Sequence, residues 1–213
     1  MREKKQPYYP IFLDLSGRRC VVVGAGNVAE RKISGLLKTG AAIVVVGPPA
    51  APAIEKWALE GSLTLMKRAF TPADLDDAFL VIAATDDEQL NELVQREALR
   101  RKALINVVDA PNLCEFIVPA VLDRGRLQIA VSTGGASPAL AAKLRDRIET
   151  EVGPEYGDYV EVIDDFRRRV RTQTSDSAKR KEAYERLFAS DVLDRIKIGQ
   201  KVDVDELVGR YAG

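Results

Sequence analysis

The stretch VVVGAGNVAERK, from Val21 to Lys32, constrains the fold more than any other part of the chain. A run of β-branched residues ends in two glycines one residue apart, and the residues that follow have helical spacing. Gly24-Ala25-Gly26-Asn27-Val28-Ala29 has the G-x-G-x-x-A form. Gly24 permits the tight turn, Gly26 lets the backbone approach a pyrophosphate, and Ala29 lets the helix lie close to the strand. The helix N-terminus then offers free N–H groups and partial positive charge to an anion. The motif alone is weak, but here it follows the first strand and opens a helix, the context it requires. Dinucleotide binding is the resulting reading, against a glycine turn that holds no ligand.

The residues around it alternate. Short apolar strands are expected at Arg19–Val23, Ala42–Val46, Leu63–Lys67, Leu80–Ala84 and Leu104–Val108. Between them lie helices at Val28–Thr39, Ala53–Leu59, from Pro72 to Asp76 behind the N-cap Thr71, and at Glu88–Arg101. Val28, Ile33, Leu36 and Leu37 form the apolar face of the first helix, and Trp57 is a packing residue. Near-continuous apolar strands separated by helices predict an α/β fold, a doubly wound parallel sheet covered on both faces. After Asp109 the pattern changes. Phe116–Val121 and Leu127–Val131 read as a β-hairpin around LDRGR, with Gly125 in the turn. STGGASP follows, with Ser137 as N-cap and Pro138 at the first helical position. Past Gly153 the chain is helical, with Val160, Ile163, Phe166 and Val170 at helical spacing, and Tyr184, Leu187 and Phe188 likewise. This divides the chain into a nucleotide-binding domain (1–112), a hairpin-and-helix region for dimerisation and substrate (113–152), and a helical C-terminal domain (153–213). The tail is short for a sizeable core of its own, and the hairpin needs a cover, so a homodimer through both is expected.

Composition narrows the chemistry. The 213 residues carry no formal net charge, which argues against nucleic acid or an anionic membrane as partner. No apolar run approaches the length of a membrane span. The N-terminal MREKKQPYYP is basic but lacks the apolar stretch of a signal peptide, so a cytoplasmic protein is expected. Cys20 and Cys114 suggest neither a disulfide framework nor a metal site, and no metal ligands are expected. Arg167–Arg171 reads as a solvated helix face. The chain contains no histidine, so a carboxylate is the natural general base.

In a parallel sheet the ligand lies beyond the carboxyl ends of the strands. The second strand ends in Gly47, Pro48 and Pro49, which offer neither a carboxylate for a ribose 2′-hydroxyl nor an arginine for a 2′-phosphate; the backbone of Gly47 and Pro48 is expected to line the adenosine site. The fourth strand ends in Thr85, placed for cofactor ribose or phosphate, with Asp86 or Asp87 capping the next helix. Beyond the fifth strand, Asn106 and Asp109 are three residues apart and within reach of a nicotinamide.

Read in order, PIFLDLSGRRCVVVGAGNVAERKI, AATDDEQLN, INVVDAP and FIVPAVLDRGRLQIAVSTGGASP resemble the precorrin-2 dehydrogenase family, the dehydrogenase module of sirohaem synthases. The likeness runs from about Pro10 to about Ile148. It implies a Rossmann-type domain, a dimerisation region and a helical part in a homodimer, with NAD-dependent oxidation of precorrin-2 to sirohydrochlorin. Some members of the family also insert ferrous iron. The resemblance implies cofactor contacts at Gly24, Gly26, Asn27, Val28, Gly47, Pro48 and Pro49. It implies a catalytic role for Asp109 and a tetrapyrrole-facing loop at Ser132, Thr133, Gly134, Gly135 and Ser137. Arg124 and Arg126 are further candidates for substrate carboxylates. No methyltransferase segment is present in the sequence, so precorrin-2 is expected from a separate enzyme. The alternative is an NAD(H)-sensing regulatory domain that catalyses nothing.

Overall fold

The computed structural model describes residues 8–212, so most of the basic N-terminal stretch lies outside the described residues. The chain forms two compact units, one ending at Val118 and the other beginning at Pro119.

The first unit is built on five parallel strands: β1 (Arg19–Val23), β2 (Ala42–Val46), β3 (Thr64–Met66), β4 (Leu80–Ala83) and β5 (Leu104–Val107). Their spatial order is β3-β2-β1-β4-β5. The helices α1 (Asn27–Leu37), α2 (Pro52–Leu59) and α3 (Glu88–Arg100) connect them. The strands are apolar along their length because both faces are buried. Cys20, Val22, Ile43, Val45 and Ile82 enter one cluster, and Val21, Val23, Val44, Val81 and Ile105 enter the other. Burial pushes the Cys20 thiol up to about 11, as befits an inert core side chain. The strand order changes direction between β1 and β4, which opens a crevice at their carboxyl ends.

Helix α1 buries Ala29, Ile33 and Leu36. Val28, expected on that face, is 40% exposed instead and lines an open cavity. Trp57 packs against the edge of the first cluster.

One charged group is anchored inside this unit. Asp74 is 5% exposed and receives both guanidinium nitrogens of Arg68, at 2.8 and 2.5 Å. The Thr71 N–H also donates to it at 2.7 Å, closing the 3₁₀ turn Pro72–Leu75. The Arg68 hydrogen bonds hold the Asp74 carboxyl below its ordinary range; burial opposes them and the Thr71 groups add to them. A depressed folded-state pKa contributes stability above the unfolded value near ~3.9, and that contribution is lost as pH falls through the folded value. Asp74→Ala is expected to lower stability by about 1–3 kcal/mol at neutral pH. The difference from the parent should shrink on acidification, which denaturant titrations at two pH values would read.

The second unit opens with the antiparallel hairpin β6 (Ala120–Arg124) and β7 (Leu127–Val131). The first strand therefore starts later than Phe116 and runs through most of the expected loop. Pro119 has no N–H for a ladder, and the Phe116 carbonyl is engaged by Asn106 at 2.9 Å. Arg124 pairs with Leu127, leaving a two-residue turn in which Gly125 has φ +70°. Helix α4 (Pro138–Glu151) packs on the hairpin and is followed by α5 (Glu155–Gln173), α6 (Ser177–Phe188), α7 (Val192–Lys197) and α8 (Val204–Tyr211).

The tail does form a core. Phe166, Val170, Ala183, Leu187, Val192, Leu207 and Val208 are buried together. Phe188 is exposed rather than part of it. Arg168 and Arg169 pair with Asp165, one turn earlier on α5, and the arginines of the run lie on the helix surface while Val170 points into the core. Among the described residues no helix is long and apolar enough to cross a membrane.

Candidate active site

The carboxyl end of the parallel sheet is built by close backbone approaches. Gly24 has φ +105°, and its N–H donates to the Val46 carbonyl at 2.8 Å. A Cβ on Gly24 would lie 2.2 Å from the Ala84 carbonyl oxygen, so the loops after β1 and β4 touch backbone to backbone. Gly47 is packed likewise, with a Cβ there meeting Ala25 N at 3.2 Å. A Cβ on Gly26, by contrast, would meet nothing within 4 Å. Gly26 is the N-cap of α1, and no side chain caps that helix. The glycine loop thus presents an open, uncapped helix start at the end of β1, which fits a dinucleotide pyrophosphate. Asn27 and Val28 are exposed in the first turn, and Pro48 and Pro49 are exposed beyond β2.

A cavity of about 420 Å³ opens at this end. It is lined by Val28 of α1, Ala84 to Asp86 after β4, Asn91 and Glu92 of α3, and Val108 to Ala110 after β5. Thr85 lies in it. The Thr85 hydroxyl donates to the Asn91 side-chain oxygen at 2.9 Å, and the Asn91 amide donates back to the Thr85 carbonyl at 2.9 Å. Asp87 rather than Asp86 caps α3, accepting from the Leu90 N–H at 3.0 Å.

Asp109 lies at the mouth of the cavity, exposed, with φ +58°. Left-handed backbone is uncommon outside glycine, though Asp tolerates it better than most residues. No described residue donates a hydrogen bond to its carboxylate.

Asn106 departs from the expectation that placed it beside Asp109. It is 7% exposed and lies within β5, and its amide donates to the Phe116 carbonyl at 2.9 Å. Alternation along the strand turns it toward the cluster that includes Ile82 and Phe116, away from the cavity. Its contribution is to fold the returning chain back along the free edge of β5. The Val107 N–H donates to the Cys114 sulfur at 3.2 Å, and the Glu115 N–H donates to the Ile105 carbonyl at 2.9 Å. The loop that carries Asp109 is closed by these bonds. Cys114 had no visible role in the sequence, because its partners are backbone groups of a strand seven residues away.

Lys32 is the other residue that sequence reasoning missed. It is half-buried on α1, one turn beyond Val28, and within electrostatic range of Asp109 and Cys114. Burial pushes its ammonium below the ordinary lysine value and the charge of Arg31 adds to this, while Cys114 and Asp109 oppose it.

The expected tetrapyrrole loop lies in the second unit. Ser132 accepts the Gly134 N–H at 3.0 Å, Thr133 accepts the Ser137 N–H at 2.9 Å, and Ser137 accepts the Leu140 N–H at 3.2 Å. Gly134 and Gly135 have φ +63° and +85°. Each hydroxyl keeps its own proton to donate. Arg124 and Arg126 are not free for a substrate. Arg124 bonds Glu149 at 3.0 Å and the Val152 carbonyl at 3.2 Å, and Arg126 bonds Asp164 at 2.7 Å.

Known families cover nearly all of these elements. Residues 11–120 match a family described as Putative NAD(P)-binding, more than half of the chain. Residues 124–151 match Sirohaem biosynthesis protein central, and residues 155–210 match Sirohaem synthase dimerisation region. The chain belongs to the family described as Putative NAD(P)-binding. The two sirohaem models fall on the segments that follow it, in agreement with the resemblance carried by the four motifs. The Siroheme synthase of Methylobacillus flagellatus is 44% identical over 192 residues, which cover 90% of this chain and 41% of that protein. The Siroheme synthase of Nitrosococcus oceani is 37% identical over 198 residues, covering 93% of this chain and 42% of that protein. The chain thus spans about two fifths of the length of these curated relatives. The solved structure of SirC, a precorrin-2 dehydrogenase, superposes with a TM-score of 0.78 at 28% identity. That match covers 96% of this chain and 98% of SirC.

Proposed function

We propose that this protein oxidises precorrin-2 to sirohydrochlorin with NAD as hydride acceptor, in sirohaem or cobalamin biosynthesis. The observation that carries the reading is Asp109, a carboxylate that accepts no hydrogen bond from a described residue and lies at the mouth of a cavity that opens beside a dinucleotide-type glycine loop. A nicotinamide cofactor held at the glycine loop would supply the hydride acceptor. The remaining hydrogen leaves as a proton, and in a chain without histidine Asp109 is the base that receives it. Gly24, Gly26, Asn27 and Val28 hold the pyrophosphate side of the cofactor. Gly47, Pro48 and Pro49 line its adenosine, and Thr85 meets ribose or phosphate. Asn106 acts from behind, by fixing the chain that carries Asp109. Ser132, Thr133, Gly134, Gly135 and Ser137 form the loop for a substrate carboxylate, supplying hydroxyl and backbone N–H donors. We place the reaction in the cytoplasm, where two cysteines with no disulfide between them suit a reducing medium.

The experiment supplies precorrin-2 anaerobically with NAD, with NADP, or with no nucleotide, and follows sirohydrochlorin by absorbance. Product with NAD and none without nucleotide supports the proposal. No product with either nucleotide, alongside intact NADH binding, overturns it in favour of an NAD(H)-sensing regulatory domain. Ferrous or cobalt ions added after completion decide whether the protein also inserts metal.

The working form in this proposal is a homodimer. The tail closes its own core, so a shortage of core residues is no longer the reason for one. The support is the match of residues 155–210 to a dimerisation region. Sedimentation at micromolar concentration is expected to give twice the chain mass of 23.4 kDa, and a single-chain mass would contradict it.

A further inference from the structure

The cavity beside the glycine loop is an odd place for a polyanion. Its lining includes Asp86, Glu88, Glu92 and Asp109, and neither lysine nor arginine. A substrate bearing several carboxylates needs a cation at this rim, or the acids would repel it. The arginines of the hairpin turn do not supply one, because both are paired with acids of their own unit.

Lys32 is suited to that role. It lies one helical turn beyond Val28, whose side chain lines the cavity, and on the same helix face. It is half-buried, so its ammonium is partly stripped of water. It has no hydrogen-bond or ion-pair partner among the described residues, whereas Lys56, Lys67, Lys181 and Lys197 each have a carboxylate within 4 Å. Its charge and that of Asp109 act on one another. A partly desolvated ammonium without a partner is unfavourable in the resting protein and gains most when an anion arrives.

We infer that Lys32 anchors one carboxylate of the anionic tetrapyrrole on the Asp109 side of the cavity, which holds the carbon that loses its proton against the base. This rests on the dehydrogenase reading for its substrate, and the test separates the two.

Lys32→Met keeps the apolar stem and removes the charge, and Lys32→Arg keeps the charge. Three quantities are measured for each: KM and kcat for precorrin-2, the Kd for sirohydrochlorin by absorbance titration without nucleotide, and the Kd for NADH by fluorescence. In Lys32→Met, KM and the sirohydrochlorin Kd are expected to rise roughly 10-fold or more, as for a lost charge-assisted hydrogen bond. The Kd for NADH should hardly move, kcat should fall less than KM rises, and Lys32→Arg should recover most of the affinity. The salt dependence of sirohydrochlorin binding should also flatten in Lys32→Met. Unchanged sirohydrochlorin affinity in a folded Lys32→Met protein overturns the inference. So does a loss of NADH affinity in step, which would assign Lys32 to the nucleotide. So does a shifted pH profile at constant KM, which would assign it to Asp109 alone. Should Lys32→Met fail to fold, Lys32→Gln provides the same comparison. If the parent protein makes no sirohydrochlorin yet binds it more tightly than Lys32→Met does, the dehydrogenase reading fails and the anchor stands.

Discussion

Asp109→Asn is expected to lower kcat for sirohydrochlorin formation by about 10²–10⁴-fold, the usual contribution of a positioned general base. The substitution keeps size and polarity and removes the ability to take a proton. The Asp109 carboxylate accepts no hydrogen bond from a described residue, so its loss should leave the melting temperature nearly unchanged. Cofactor binding should also survive, because the glycine loop is a separate segment of chain. A fall in kcat with intact NADH binding is thus the signature of a base. If Asp109→Asn retained near-parental kcat, the proton would have to leave through another group. If NADH binding fell together with kcat, Asp109 would be part of the cofactor site instead.

Two glycines of one motif are expected to respond in opposite ways. Gly24→Ala places a Cβ 2.2 Å from the Ala84 carbonyl oxygen and 2.7 Å from its carbon, at φ +105°. The obstacle is backbone at the junction of β1 and β4, so no rotamer change relieves it. A cost of about 3 kcal/mol or more follows, equivalent to a drop of roughly 6–12 °C in a domain of this size. Gly26→Ala meets nothing within 4 Å and should melt with the parent protein. A methyl there occupies the space a pyrophosphate needs, so NAD affinity should fall roughly 10-fold or more. Thermal melts with and without NAD separate the two: Gly24→Ala melts low in both, and Gly26→Ala loses only the cofactor-induced shift. Full NAD affinity in Gly26→Ala would place the cofactor elsewhere.

The parallel sheet was legible because its signals are local. Val21–Val23 and Val44–Val46 are apolar on both faces, and Gly24 and Gly26 stand where a strand must turn into a helix. The position of Asp109 at the cavity was legible for the same reason, since it follows a strand end directly. The errors arose where a distant partner decides the outcome. Asn106 reads as a strand-end amide, but pleat alternation and the returning Phe116 carbonyl bury it. The hairpin register depended on Pro119 and on what the Phe116 carbonyl bonds, neither of which is a matter of propensity. Val28 has the right spacing for a core face but lines the open cavity instead. Lys32 carries no mark in the sequence, because its relation to Asp109 exists only once α1 and the loop after β5 are brought together.

In the proposed reaction hydride and proton leave one substrate together in this site. The measurement that tests it most directly is an anaerobic time course with enzymatically made precorrin-2, NAD and a chelator, recording NADH and sirohydrochlorin absorbance in the same cuvette. Both are expected to rise in step, one NADH for each sirohydrochlorin, and Asp109→Asn is expected to slow both equally. Sirohydrochlorin without NADH, or neither product in a protein that binds NADH tightly, would contradict it.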